Sequence, residues 1–445
     1  MTSANRHRIT IDKVVAGGHG LARLAGGMVV MVPFVLAGET VIVALGRQHK
    51  GYVTATLLEV VESSPFRVEP FCSHFMVCGG CNLQHADYLC QLKIKSDILN
   101  ELAVRAGIIL NGVATQPVLP SPDEFHYRQR IRLQIDDSGS VGFFKRGSHE
   151  VAEIDVCPLA ASQLNQALVG IRRSVAFRTL CSHSAAMELL LNPLAGRVVV
   201  SFQLRRKPRP ADHKAAATIA STMGLIQSVW LVGEGFAPSG PYGGDSPGEH
   251  GDGIAFALPD GRGGQGLVMR FETGGFCQVN LRQNERLLEQ VLAWAQVRPE
   301  DEVLDLFCGM GNFSLPLARG SGRVVGSDLQ RSSIRGAQAN ALANQVDNCL
   351  FLRADALTAA QQLRQAGERF DVALLDPPRQ GCREIISLLP ELCRDKIIYI
   401  SCDPATLVRD LRQLQEVGFS LRHLRGVDMF PQTCHLEAIA MLVRE

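Results

Sequence analysis

The chain lacks an excess of charge of either sign: 45 basic and 44 acidic side chains leave a formal net charge of +1 over 445 residues. Without a global field, attraction to nucleic acid or to an acidic membrane has to come from local patches. It also lacks a long apolar run. The stretch "MVVMVPFVLA" is about half a membrane span and contains Pro33. The start, "MTSANRHRIT", has no apolar core of a secretory signal. No repeat is visible at solenoid periods. These absences predict a cytoplasmic location and no membrane association, while 46% apolar and 20% charged residues exclude a disordered chain.

Cysteine is abundant instead. Thirteen is an odd number and many for a reducing compartment, where clustered thiols point to metal binding or catalysis rather than to disulfides. The length calls for two or three domains. Residues 8–61 read as short strands with glycine turns, the pattern of a small OB-type barrel. A helix is predicted from about Asp87 to Ala106, with Leu89, Leu92, Leu99 and Leu102 on its apolar side and Gly107 as its stop. Strand-like runs dominate 125–232, and 233–266, crowded with Gly, Pro and Asp, reads as an exposed mobile loop. After it, apolar strands alternate with amphipathic helices, the signature of a parallel α/β sheet, closed by two antiparallel runs. The expected division is 1–62, a β-barrel; 63–269, a central α+β domain; and 270–445, a Rossmann-like α/β domain.

Three constellations carry chemistry. Cys72, Cys78 and Cys81 form C-x5-C-x2-C, with Cys157 remote and followed by Pro158. Four thiolates in this pattern suit a [4Fe–4S] cluster or zinc. Structural zinc usually takes two tight pairs, and only one is present, which favours the cluster. Second, "VLDLFCGMGNF" is a strand running into a turn with Gly309 and Gly311. Asp328, Asp355 and Asp376 end the next three strands at the same edge, an adenosylmethionine-type arrangement without the three-glycine dinucleotide fingerprint. Third, Cys402 ends the fifth strand in "ISCDPATLVRD", and Glu437 follows in "FPQTCHLEAIA". A lone strand-end cysteine is usually core filler. At a cofactor edge, with turn amides and a helix start to favour its thiolate, it reads as a nucleophile.

Together "SCDPATLVRD", "FPQTCHLE", "LDLFCGMGNF" and "FCQVN" resemble the RNA uracil-5 methyltransferases, over nearly the whole chain. The barrel resembles a TRAM domain, and the four cysteines match the iron–sulfur branch, whose substrate is 23S ribosomal RNA. The resemblance implies Cys402 as nucleophile and Glu437 as general base. It implies Gln278, Phe307, Asn312, Asp328, Asp355 and Asp376 around S-adenosylmethionine and the target base. It also implies a [4Fe–4S] cluster on Cys72, Cys78, Cys81 and Cys157, RNA contacts from the barrel and from Arg128, Arg130 and Arg132, and a monomer. One departure concerns the nucleophile: Asp403 stands where the family often has Asn, and a carboxylate there would oppose the thiolate unless it points away. Methylation of transfer RNA, or of a second ribosomal site, is the rival within the family. A non-catalytic ribosome-assembly factor is the rival outside it, against which the retained Cys402, Glu437 and cofactor acids speak.

Overall fold

The computed structural model describes residues 6–108, 113–243, 253–260 and 266–445. The N-terminal strands are β1 (Arg6–Thr10), β2 (Lys13–Val15), β3 (His19–Arg23), β4 (Val29–Pro33), β5 (Thr40–His49) and β6 (Tyr52–Glu62). They pair in the order β1-β5-β6-β4-β3-β2. Because β1 and β2 follow each other in the chain yet lie at the two edges, one interrupted strand closes the sheet on both sides. Val30, Val32, Val41 and Val43 fill its interior. Gly20 belongs to a crowded wall, where a Cβ would stand 2.3 Å from Val35. The buried Glu39 accepts from Arg67 and from the backbone N–H groups of Leu36 and Ser64, fastening this sheet to the segment that leaves it.

Helix α1 (Tyr88–Arg105) starts where Asp87 accepts the Cys90 N–H at 2.7 Å and stops at Gly107, φ +73°. Of the leucine stripe read in the sequence, Leu99 is buried and Leu102 packs against the core, but the N-terminal end departs from it. Leu89 is 76% exposed, whereas Gln91 and Lys95 are buried. The reason is the partner: this face meets a loop rich in polar backbone, which needs donors rather than methyl groups.

The strand β7 (Ala114–Leu119) joins the C-terminal sheet, and the central sheet follows: β8 (Arg130–Ile135), β9 (Val141–Phe144), β10 (Val151–Glu153), β11 (Ser184–Asn192), β12 (Arg197–Leu204), β13 (Ile226–Val232) and β14 (Ser239–Tyr242). The order is β10-β9-β8-β11-β12-β13-β14. Helices α2 (Ser162–Arg173), α3 (Val175–Cys181) and α4 (Pro210–Thr222) share its core. The Gly- and Pro-rich stretch is not one loop. It contributes β14 and the strand β15 (Ile254–Leu258), which pairs with β16 (Leu267–Phe271) in a hairpin; 244–252 and 261–265 lie outside the described residues. Ile254, Phe256, Met269 and Phe271 pack with Leu287 and Leu288 of α5 (Leu281–Ala295), so a boundary at 269/270 would cut through β16 and this core.

The C-terminal unit contains β17 (Glu302–Leu306), α6 (Ser314–Ala318), β18 (Arg323–Asp328), α7 (Arg331–Ala343), β19 (Cys349–Arg353), α8 (Ala356–Gln365), β20 (Phe370–Leu375), α9 (Leu389–Leu392), β21 (Cys393–Ser401), α10 (Pro404–Glu416), β22 (Phe419–Val427) and β23 (Glu437–Arg444). The sheet order is β19-β18-β17-β20-β21-β23-β22-β7. The first five strands are parallel, β23 runs against β21, and β22 runs against β23. Side chains alternate between two cores. Val372 and Leu374 face one with Ile398 and Ile400, while Ala373 and Leu375 face the other with Ile397 and Tyr399. Each buried Val, Leu or Ile contributes about 1.5–3 kcal/mol, which is why these strands read as continuous apolar runs. Among the described residues no helix is long and apolar enough to cross a membrane.

Candidate active site

Parallel strands end at one edge, so β17, β18, β20 and β21 deliver their following residues to a common crevice. After β17 the backbone turns through Phe307 (φ +75°), Gly309 (+55°) and Gly311 (+91°). A Cβ on Gly309 would meet nothing within 4 Å, so the turn faces open space at this point. The Gly309 N–H donates to Asp328 Oδ2 at 3.1 Å, and the Gln330 N–H donates to Oδ1 at 2.7 Å. Asn312 and Asn284 exchange amide hydrogen bonds of 2.9 and 3.1 Å. Gln278 is half-buried just before Asn280, whose side chain caps α5. Asp355 behaves differently. Both its oxygens serve Thr358 at the start of α8, and these hydrogen bonds hold its carboxyl below the usual range.

One acid in this region escaped sequence reasoning. Asp305 sits inside β17, fully buried. One of its oxygens accepts from Ser314 Oγ at 2.5 Å, and the other, Oδ1, has no protein partner. Burial pushes its carboxyl up to about 7, with the charges of Asp376 and Asp328 adding to the effect. An acid in the middle of an apolar strand was the available signal.

Cys402 is the only exposed cysteine of the thirteen. It faces Asp376, at the end of β20, and the buried Glu437, at the start of β23. Burial raises both carboxyls well above the usual range, and the charge of Asp376 raises Glu437 further. The Cys402 thiol is also raised, by its partial burial first and then by Glu437 and Asp376. Burial first, with the two neighbouring carboxyls adding to it, thus outweighs the turn amides that favour the thiolate. The opposing cation is Arg379, a residue the sequence reading passed over. Its loop is fastened to α10: Thr406 Oγ1 donates to the Arg379 carbonyl and Arg409 to the Gln380 carbonyl, both at 2.9 Å. Asp403 is turned away from the thiol. Its Oδ1 accepts the Thr406 N–H at 2.9 Å as the cap of α10, which answers the concern about a neighbouring carboxylate.

Cys72, Cys78, Cys81 and Cys157 are all half-buried and free of disulfides. Burial raises Cys78, Cys81 (to about 12) and Cys157, the thiols raise one another, and Arg128 opposes them. Asn165 clamps both the N–H and the carbonyl of Cys157. Among the described residues no group of three or more His, Cys, Asp or Glu side chains is arranged to hold a single metal ion. The three arginines expected to contact RNA are not equally exposed. The Arg128 guanidinium is turned toward the thiols and stacks 5.9 Å from the Phe430 ring, with its Nε unpartnered. Arg130 pairs with Glu188 at 2.8 Å, leaving Arg132 exposed. Alternate positions place all three on one side of the strand, so the difference comes from their partners: the half-buried thiols call for a cation at Arg128, and Glu188 takes Arg130.

Residues 261–445 match the family described as tRNA (Uracil-5-)-methyltransferase. Over its full length the chain is 32% identical to the 23S rRNA (uracil(1939)-C(5))-methyltransferase RlmD of Aeromonas hydrophila, covering 100% of this chain and 98% of that protein. It is 34% identical to the protein of the same name from Halomonas elongata, covering 99% and 90%. The crystal structure of Pyrococcus abyssi tRNA (uracil-54, C5)-methyltransferase, in complex with S-adenosyl-L-homocysteine, superposes with a TM-score of 0.72 at 25% identity, covering 98% of this chain and 100% of that one. The sheet is thus an α/β methyltransferase fold. With an exposed cysteine facing a buried glutamate at its carboxyl edge, and similarity that runs from end to end, the chain belongs to the RNA uracil-5 methyltransferase family.

Proposed function

We propose that the protein transfers a methyl group from S-adenosylmethionine to C5 of a uridine in 23S ribosomal RNA, in the cytoplasm. The observation that carries this reading is the exposed Cys402 opposite Asp376 and Glu437, on a chain similar throughout to 23S rRNA methyltransferases. Uracil C5 is a weak carbon nucleophile. Addition of the Cys402 sulfur to C6 turns the ring into an enolate whose electron density reaches C5. Arg379 favours the thiolate that adds, and its proton leaves to the carboxyl pair or to water. The 307–312 turn, Asp328 and Gln278 would hold S-adenosylmethionine, which would supply an electrophilic methyl group. Glu437 then removes the C5 proton, the C6–S bond breaks, and the thiol is regenerated. The target base has to leave its stack to meet these groups, which suits an unpaired RNA segment. The N-terminal strands form a TRAM-type barrel that adds RNA contacts.

The transfer-RNA reading keeps some support from the Pyrococcus likeness, at lower identity. Purified protein with labelled S-adenosylmethionine is expected to methylate a 23S rRNA transcript at the uridine matching position 1939, and transfer RNA at least about tenfold more slowly. The reverse preference would replace ribosomal with transfer RNA.

We also propose a [4Fe–4S] cluster on the four cysteines. One tight C-x2-C pair with two more widely separated thiols suits a larger group better than structural zinc, which usually takes two tight pairs. The inward-turned Arg128 suits the net negative charge of four thiolates. Such a cluster would tie the Cys72–Cys81 segment to the Cys157 loop and would have a structural role, since the methylation transfers no electrons. Anaerobically purified protein is expected to carry about four irons and four sulfides per chain. Stoichiometric zinc without sulfide would refute this.

A further inference from the structure

Glu437 is the first residue of β23, and the loop 428–436 feeds it into the sheet. That loop is held by side chains from the segment that follows Cys81. Gln432 and Gln91 exchange two hydrogen bonds: the Gln432 N–H donates to Gln91 Oε1 and Gln91 Nε2 donates to Gln432 Oε1, each at 2.9 Å. The Gln432 carbonyl accepts the N–H groups of Asn82 and Leu83. Asn82 brackets Cys434, accepting its N–H at 2.7 Å and donating to its sulfur at 2.9 Å. Lys95 Nζ donates to Asp428 Oδ1 at 2.5 Å and to the Phe430 carbonyl at 3.1 Å, and both ionic side chains are wholly buried.

A contact serving only to join two domains is made more cheaply from apolar groups, since burying Lys95 and Asp428 removes both ions from water. Directional donors at fixed backbone atoms do something methyl groups cannot, which is to specify register. The loop needs that. Gln432 is held at φ +69°, a left-handed conformation unusual for a side chain this long. In β23, Glu437 pairs with Val427 and Ala438 with Ser401, beside the nucleophile. A slip of one residue would bring Leu436 or Ala438 to the position of the glutamate and turn the carboxyl to the other face.

We propose that Asn82, Gln91 and Lys95 are positioning residues for proton removal: they set the register in which β23 presents Glu437 to C5. This rests on the reading of Cys402 as nucleophile and Glu437 as base. The test separates two steps in full-length protein. RNA containing 5-fluorouridine reports addition and methyl transfer as a denaturant-stable complex, because fluorine cannot be removed as a proton. RNA tritiated at uridine C5 reports proton removal as released tritium. In Gln91→Leu, tritium release is expected to fall by about tenfold to a hundredfold. The fluorouridine complex should form within about threefold of the wild-type rate, and covalent complex should build up on ordinary uridine RNA. Asn82→Ala, at a partly exposed site, is the second variant should Gln91→Leu fold poorly, with the same split expected. Equal loss of both signals, or loss of neither, would overturn the positioning role. Absence of the fluorouridine complex in the wild type would instead overturn the catalytic reading beneath it.

Discussion

Cys402→Ala is expected to lose methylation by about 10⁴-fold or more, and to form no denaturant-stable complex with 5-fluorouridine RNA. Removing the sulfur leaves C5 without the electron density needed to attack a sulfonium methyl, and no neighbouring group can replace it. Asp376 and Glu437 are oxygen bases pushed toward their neutral forms, and the remaining cysteines are half-buried or buried. The residue is exposed, so the substitution should leave thermal stability within a degree or two of wild type. Methylation retained above about one per cent would exclude Cys402 as the nucleophile.

Glu437→Gln should slow turnover by about 10²–10⁴-fold while leaving the fluorouridine complex able to form. Its effect on pH dependence is the sharper signature. The wild-type base works only when ionised, and burial together with Asp376 raises its carboxyl well above the usual range. The acid limb of the rate profile should therefore lie near neutrality rather than near pH 4–5, with activity rising as pH rises through it. In Glu437→Gln that limb should disappear from the residual rate. Stability moves the opposite way. A carboxyl whose pKa is raised in the folded state stabilises the fold while it stays protonated, and that contribution is lost as pH rises through the folded value. Glu437→Gln should thus melt higher than wild type at mildly alkaline pH and show a smaller gain under acid conditions. A wild-type acid limb at pH 4–5, or an unchanged limb in the variant, would remove Glu437 from the role of base.

Much of this site was legible in the chain because its chemistry is local. The strand–turn–helix around Gly309, the acids Asp328 and Asp376 at strand ends, and Cys402 before a helix start each follow from short-range pattern: apolar runs stop where polar ligands begin. The parallel sheet was legible for the same reason, since strands buried on both faces need uninterrupted apolar sequence. What stayed hidden depends on partners far away in the chain. Arg379 reads as a loop cation until the loop is fastened to α10 beside Cys402. Asp305 reads as part of an apolar strand until its unpartnered oxygen is seen. Arg128 reads as an RNA contact until the cysteines gather under it, and Asp403 reads as a threat to the thiolate until it turns to cap its helix.

The sequence by itself determined the family, the chemistry-bearing residue types and the strands that carry them, because each depends on neighbours a few positions apart. Only the tertiary structure decided which side chains face one another. It turned Gln91 and Lys95 inward in place of Leu89, brought a segment beginning at Asn82 onto a loop more than three hundred residues later, and set two carboxyls against one thiol. Pairings at that separation leave no periodic trace in the chain, since they are set by how the packed layers dock and by which buried polar groups must find partners.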